Sequence, residues 1–214
     1  MRIIKSSYFI EKLDDGEEIL RRIEWAGRTC YKSENKITEK SAKEFVAMIL
    51  KRGHHSVIEH EYMTVRFICD RGVTHELVRH RLVAYSQEST RYCNYSKGKH
   101  GGEITVIKPC FWNFFGAPGS SEYIMWKRAC ATAEECYLEL LDLGASPQEA
   151  SSVLPNSLKT EIVATANLRE GRHIFTLRTA KAAHPQMREI MVPLLKEVQR
   201  RVPVLFDDII PFEG

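Results

Sequence analysis

Glu61-Tyr62-Met63-Thr64-Val65-Arg66-Phe67-Ile68-Cys69 alternates in polarity along its whole length. Met63, Val65, Phe67 and Cys69 fall on one side, and Tyr62, Thr64, Arg66 and Ile68 on the other. A period of two in β-branched and aromatic residues predicts a half-buried strand. Downstream, Asp70-Arg71-Gly72 predicts a turn. Thr74 is placed to cap a helix over about 75–83, anchored by Leu77, Val78 and Val83. Glu76 and Arg79, three apart, then share a helical face.

That helix carries Arg79-His80-Arg81 into a polar loop, Tyr85-Ser86-Gln87-Glu88-Ser89-Thr90-Arg91-Tyr92. From Arg79 to Tyr92 there are three arginines, no lysine and one acid. A solvated helix face mixes Lys with Glu, whereas guanidinium forks suit phosphate and pyrimidine oxygens. The stretch is either an anion-binding segment at a helix-to-loop junction or a basic surface loop. Upstream lies His54-His55-Ser56-Val57-Ile58-Glu59-His60. Its order differs from the helical zinc motifs, which need two histidines four apart or H-x-x-E-H. Hydrogen bonds to a ligand or a neighbouring subunit, or to local backbone, suit these histidines better than a metal.

Further out, helices are expected over 15–29, capped by Asp15, and over 39–52, capped by Thr38 and stopped by Gly53. Residues 2–10 read as one strand and 103–108 as another, ended by Pro109. Phe111-Trp112-Asn113-Phe114-Phe115-Gly116 is an aromatic loop, suited to packing or, less so, to stacking. The longest helix spans 120–143 with Met125, Ala129, Thr132, Ala133, Cys136, Leu140 and Leu143 as its apolar stripe. Ser146-Pro147-Gln148-Glu149 is a capping box. A strand over 160–166 feeds a helix from Asn167 to Ala180. Arg169, Arg172, His173 and Thr176 share one face of that helix, while Phe175 and Leu177 look inward. Positive charge near its N-terminus opposes the helix dipole, and an anion there would relieve it. Pro185 opens a last helix that Pro193 interrupts or kinks.

The mixture gives an α+β protein, read as one domain over 1–214. A net charge of +3 in 214 residues argues against a dedicated nucleic-acid binder. No apolar run approaches the length of a membrane span, and the first residues lack the apolar core of a signal peptide. The six cysteines form no C-x-x-C pair and read as reduced thiols of a cytoplasmic protein. Two Arg/His clusters, around 79–91 and 167–178, suggest a site for a multiply anionic ligand such as a nucleotide.

Arg79-His80-Arg81, seven residues, then Ser89 resembles the signature of the flavin-dependent thymidylate synthases. The His54–His60 run, Leu154-Pro155, Asn167-Leu168-Arg169, His173 and Leu177-Arg178 follow in the family's order, so the resemblance covers most of the chain. It implies a mainly antiparallel sheet flanked by helices, assembled as a homotetramer with shared active sites. It implies methylation of dUMP at C5 to dTMP, with methylenetetrahydrofolate as carbon donor, FAD as hydride carrier and NADPH as reductant. Ser56, Arg79, His80, Arg81, Gln87, Asn167, Arg169 and His173 are the implied FAD contacts. Glu76, Arg79, Gln87, Glu88, Ser89, Arg91, Ser151 and Arg178 are the implied dUMP contacts, with Arg178 catalytic and no metal. Ser89 is expected to hydrogen-bond the nucleotide rather than attack it.

Three positions depart from the family's pattern. Ser151 stands where an arginine is usual, with Lys159 or Arg172 as candidates to compensate. Glu76 replaces a frequent glutamine, and Gly171 a frequent bulky aromatic, which would loosen packing near His173. Ser151 and Glu76 keep open a related chemistry, such as hydroxymethylation or another pyrimidine nucleotide. A nucleotide- or RNA-binding module without catalysis is the remaining alternative.

Overall fold

The alternating stretch forms β3, Tyr62–Asp70, with Met63, Val65, Phe67 and Cys69 buried. The computed structural model describes residues 1–97, 101–113 and 120–213. The expected first strand is two, β1 (Arg2–Ile4) and β2 (Ser7–Lys12). Then come α1 (Gly16–Tyr31), α2 (Ser41–Lys51), a 3-10 segment over His55–His60, and β3. After β3 follow α3 (Arg71–Leu77), β4 (Val83–Gln87), β5 (Thr105–Ile107), α4 (Ser121–Asp142) and α5 (Pro147–Ala150). The chain closes with β6 (Lys159–Asn167), α6 (Leu168–Arg178) and α7 (Pro185–Arg201). Four strands form an antiparallel sheet in the order β2-β3-β6-β4. A second, two-stranded sheet pairs β1 with β5 in parallel, Ile3 opposite Val106.

The chain forms two compact units, each assembled from separate segments. One takes Met1–Ser7, Phe67–Arg79 and Ser86–Ile162. The other takes Tyr8–Arg66, His80–Tyr85 and Val163–Gly214. The chain passes from one to the other inside β2, β3 and β6, and at the Arg79–His80 and Tyr85–Ser86 bonds.

The first unit is built around Tyr95, Ile104, Val106, Cys130, Tyr137, Ala150 and Leu158. This core corrects the stripe expected on α4. Met125, Cys136 and Leu143 are exposed, while Cys130 and Tyr137 are buried and Trp126 packs against them. The stripe turns because Tyr137 buries, Trp126 half-buries beside it, and both find partners for their polar tips. Trp126 Nε1 donates to Ser157 Oγ at 2.9 Å, and Tyr137 Oη accepts from the Tyr95 N–H at 3.2 Å. Phe114, Phe115 and Gly116 of the aromatic loop lie outside the described residues.

The start of the Arg/His stretch also differs from expectation. Asp70 Oδ1 accepts from Val73 N at 2.8 Å, so the helix begins at Arg71 and not after Thr74. Thr74 sits inside it and donates to the Arg71 carbonyl at 2.9 Å. Starting four residues early, α3 ends at Leu77. Arg79, His80 and Arg81 therefore lie in the turn after it, and Glu76 and Arg79 share no helical face. Tyr85, Ser86 and Gln87, expected as the start of the loop, belong to β4.

In the second unit, α1 begins at Asp15, whose Oδ1 accepts from Glu17 N and Glu18 N. Its buried face, Ile19, Leu20 and Ile23, is continuous with close packing on α2. Gly27 permits that approach: a Cβ there would stand 2.5 Å from the Phe45 ring. Helix α2 starts at Ser41 with Lys40 as its cap residue, not Thr38. Helix α7 runs through Pro193 unbroken and buries Ile190, Met191, Leu194, Leu195 and Val198. Helix α6 packs against α7 and the His55–His60 segment. Its Phe175 is fully buried, whereas Leu177, expected to face inward, is exposed. The space at Gly171 is filled by the Met63 methyl and Phe206, so the missing aromatic leaves no gap there.

Candidate active site

Of the residues expected at the flavin, His80 and Arg81 lie in the turn before β4, Asn167, Arg169 and His173 at or on α6, and Ser56 in the 3-10 segment, while Arg79 and Gln87 fall in the other unit. Asn167 caps α6, its Oδ1 accepting from Glu170 N at 2.8 Å. His80 is 5% exposed and sits against this helix. Arg178 Nε donates to His80 Nε2 at 2.9 Å. His80 Nδ1 faces Glu170 Oε1 at 3.3 Å. The His173 ring meets the His80 ring edge-on at 5.6 Å. Tyr85 Oη donates to the His80 carbonyl at 3.2 Å, and burial raises the Tyr85 hydroxyl to about 12.

Proton positions follow from donor chemistry. A guanidinium Nε is always protonated and only donates, so His80 Nε2 must carry a lone pair. The single proton of a neutral imidazole is then on Nδ1, facing a carboxylate that accepts it. Burial and the Arg178 charge both lower the His80 pKa, against a smaller upward pull from Glu170. The Glu170–His80 contact is thus a neutral-ring hydrogen bond rather than an ion pair.

Glu170, His80 and His173 also bring their ligating atoms within 4.8 Å of one another. A cation between Nδ1 and Glu170 would displace the Nδ1 proton. The neutral ring would then carry its proton on Nε2, donor against donor with Arg178 Nε–H. The donor pattern therefore suits a proton here and opposes a metal. In the histidine run, His54 hydrogen-bonds and stacks on Tyr31, and His60 is exposed.

Arg169 is exposed and pairs with Glu59. Together with the Glu170 carboxylate in the first turn, this answers part of the dipole conflict expected at α6. Arg81 and Ser56 are exposed. Two exposed guanidiniums, a serine hydroxyl and the Asn167 carboxamide are donors of the kind that a diphosphate-bearing cofactor takes. Arg172, offered as a substitute for the missing arginine, is bound by Asp208 at 2.7 and 2.6 Å and by the Leu205 carbonyl.

Apart from Arg178, the residues expected at the nucleotide lie in the other unit. Gln87 Nε2 donates to Thr74 Oγ1 at 3.1 Å and Thr160 Oγ1 at 3.2 Å. Thr74 gives its own hydrogen to Arg71 O, so it can only accept from Gln87. The carboxamide orientation is thereby fixed, and Gln87 offers a ligand its carbonyl oxygen alone. Glu88 accepts from Tyr95 Oη at 3.2 Å and from Lys159 Nζ at 2.9 Å. Lys159 also binds Glu161 at 2.7 Å. Burial pulls the Lys159 ammonium down, but the two carboxylates outweigh it and its pKa rises. With both partners in place, the Lys159 charge is matched within the fold, like that of Arg172. Glu88, Lys159, Glu161, Tyr95, Cys93 and Arg2 line a cavity of about 630 Å³.

Ser89 Oγ accepts from Arg91 N at 3.3 Å and closes a turn, a role that uses its lone pairs and activates no nucleophile. Arg91 is exposed, and its Nε donates to Gln148 Oε1 at 3.0 Å. Ser151 Oγ donates to the Gln148 carbonyl at 2.8 Å. Arg91 and position 151 thus meet at one residue, Gln148. Glu76 is half-buried and Arg79 exposed.

Sequence reading missed Glu170 and Gln148. Both sit in helix-start grammar, Asn167-x-x-Glu170 and Ser146-Pro147-Gln148-Glu149, which accounts for a polar residue without calling on function. Glu149 does complete a capping box, whereas Glu170 turns to His80 instead.

Residues 12–204 match the family described as thymidylate synthase complementing protein. The flavin-dependent thymidylate synthase of Pyrococcus abyssi is 34% identical over 194 residues, covering 85% of this chain and 75% of that protein. The Pyrococcus furiosus enzyme of the same description is 32% identical over 204 residues, covering 90% and 77%. Among solved structures, a UMP/dUMP methylase, PolB from Streptomyces cacaoi bound with 5-Br dUMP, shares the fold. Its TM-score is 0.78 at 22% identity, over 97% of this chain and 96% of that one. The chain belongs to the flavin-dependent thymidylate synthase family and is an enzyme of that type.

Proposed function

We propose that this enzyme methylates dUMP at C5 to give dTMP, taking its carbon from methylenetetrahydrofolate and its reducing power from NADPH through FAD. It works in the cytoplasm as a homotetramer, with residues 1–214 acting as one catalytic domain. The observation that carries the reading is the Arg178 guanidinium anchored through Nε on a neutral, buried imidazole. Anchored there, it keeps its full charge and a fixed position.

Bound FAD, once reduced, supplies the hydride. The chain's own residues do the rest. Arg81, Arg169, Asn167 and Ser56 hold the cofactor through charge-assisted and neutral hydrogen bonds, with His80, His173, Arg79 and Gln87 as further contacts. Arg91 and the amides around Ser89 take the nucleotide phosphate, and Gln87 offers its carbonyl oxygen to an N–H donor. Glu76, Arg79, Glu88 and Ser151 complete the nucleotide contacts. Arg178 stabilises negative charge building on the uracil ring, which makes C5 nucleophilic. Burial raises the thiol pKa of Cys69 and of Cys130, so neither supplies a thiolate to attack C6.

Purified protein is expected to be yellow and to release tritium from C5-labelled dUMP when given NADPH and methylenetetrahydrofolate. Arg178→Ala is expected to end tritium release while the flavin absorbance stays. Turnover retained in that variant would remove Arg178 from the chemistry, and a protein that takes up no flavin would overturn the reading.

A further inference from the structure

We propose that Glu170 is a positioning residue that sets the aim of the Arg178 guanidinium through His80. The proposal rests on the reading of Arg178 as the group at the uracil ring. A single line of donors runs Arg178 Nε–H to His80 Nε2, at 2.9 Å, and His80 Nδ1–H to Glu170 Oε1, at 3.3 Å. Each group is in the one protonation state that satisfies both neighbours. An imidazole has two neutral tautomers, and only the form with its proton on Nδ1 accepts from an arginine at Nε2. The carboxylate selects that form.

Without the carboxylate, the other tautomer becomes available. Its Nε2 proton would face Nε–H of Arg178, and the guanidinium would swing away. His80 is 5% exposed and Glu170 8%, so water is poorly placed to take over the acceptor role. The charged and titratable groups facing the ring are Glu170, His173 and Arg178 of α6 and Tyr85 of β4. Tyr85 donates to the His80 carbonyl and holds the backbone, leaving Glu170 as the acceptor that holds the proton on Nδ1. Glu170 occupies the third position of α6, where a glutamate commonly folds back on the cap residue. Here Asn167 caps through Glu170 N, and the carboxylate is spent on His80.

The test uses the full chain with ¹⁵N-labelled histidine, the His80 signals being assigned by their loss in His80→Asn. Wild-type His80 is expected as the Nδ1–H tautomer. Glu170→Ala is expected to show the Nε2–H form or a mixture, and Glu170→Gln to keep the Nδ1–H form, because a carboxamide oxygen also accepts. In kinetics, Glu170→Ala is expected to lose about ten- to a hundredfold in kcat for tritium release, the scale of a misaimed catalytic group, with KM for dUMP and flavin content little changed. Glu170→Gln is expected to recover most of kcat. Its acid limb should move to lower pH, since the upward pull of the carboxylate on His80 is gone.

An Nε2–H tautomer in the wild type would overturn the proposal. So would wild-type kcat in Glu170→Ala, or a Glu170→Gln variant no better than Glu170→Ala. If the wild type releases no tritium, the reading of the function fails instead, and the ¹⁵N spectra still decide whether Glu170 sets the tautomer.

Discussion

At position 151 a serine stands beside Arg91 through their common partner Gln148. A guanidinium there would join Arg91 in facing an anion, and neither Lys159 nor Arg172 does so. Ser151→Arg is therefore expected to tighten dUMP by roughly tenfold, the low end for a charge-assisted hydrogen bond. Titration calorimetry or flavin fluorescence quenching reads that change. An unchanged affinity would place residue 151 away from the phosphate. Residue by residue, charge density singles out Arg79, His80, Arg81, Arg91 and Arg178 in the sequence, and the fold brings His80 and Arg178 into contact. It was silent where a polar side chain had a local explanation. Glu170 and Gln148 sit in positions that helix capping already accounts for. Lys159 passed for an available cation because its two carboxylate partners, Glu88 and Glu161, come together only in the fold.

Elements were legible where one physical rule acted alone. The alternation of β3 needed only a sheet with one face covered, and the structure shows it. Helix α4 was harder, because an apolar stripe leaves out aromatics whose tips are polar. Trp126 packs half-buried and Tyr137 fully buried once Ser157 and the Tyr95 amide satisfy them. The start of α3 was a contest between two capping residues, and Asp70, with the strand leading directly into it, displaced Thr74. Two helical glycines make opposite predictions at this scale. Gly27→Ala would press a Cβ into the Phe45 ring at 2.5 Å and is expected to cost about 1–3 kcal/mol. At Gly171 the nearest atom is the flexible Met63 methyl at 3.0 Å, so alanine's better helix propensity is expected to win. Gly171→Ala should gain about 0.5–1 kcal/mol. Urea unfolding of both variants checks the pair, and a stabilised Gly27→Ala or a destabilised Gly171→Ala would refute the packing argument.

At the scale of the whole molecule, the sequence does not show that the chain folds as two units built from interleaved segments. Hydrophobic periodicity records which face of an element is buried, not which neighbours bury it. The Arg79–His80 bond divides the signature itself, so residues adjacent in sequence serve different units. The same division sorts Gln87, Ser89, Arg91 and Ser151, proposed to contact the nucleotide, from the Arg178–His80–Glu170 line. Family membership supplies the reaction type, and the donor chemistry of the two clusters supports FAD and dUMP as their ligands. The most direct test is the mass of the nucleotide formed when the purified protein is incubated with dUMP, FAD, NADPH and methylenetetrahydrofolate. The expected product is dTMP, dUMP with one methyl group added. A product carrying an additional oxygen, or dUMP recovered unchanged by flavin-loaded protein, would contradict the account.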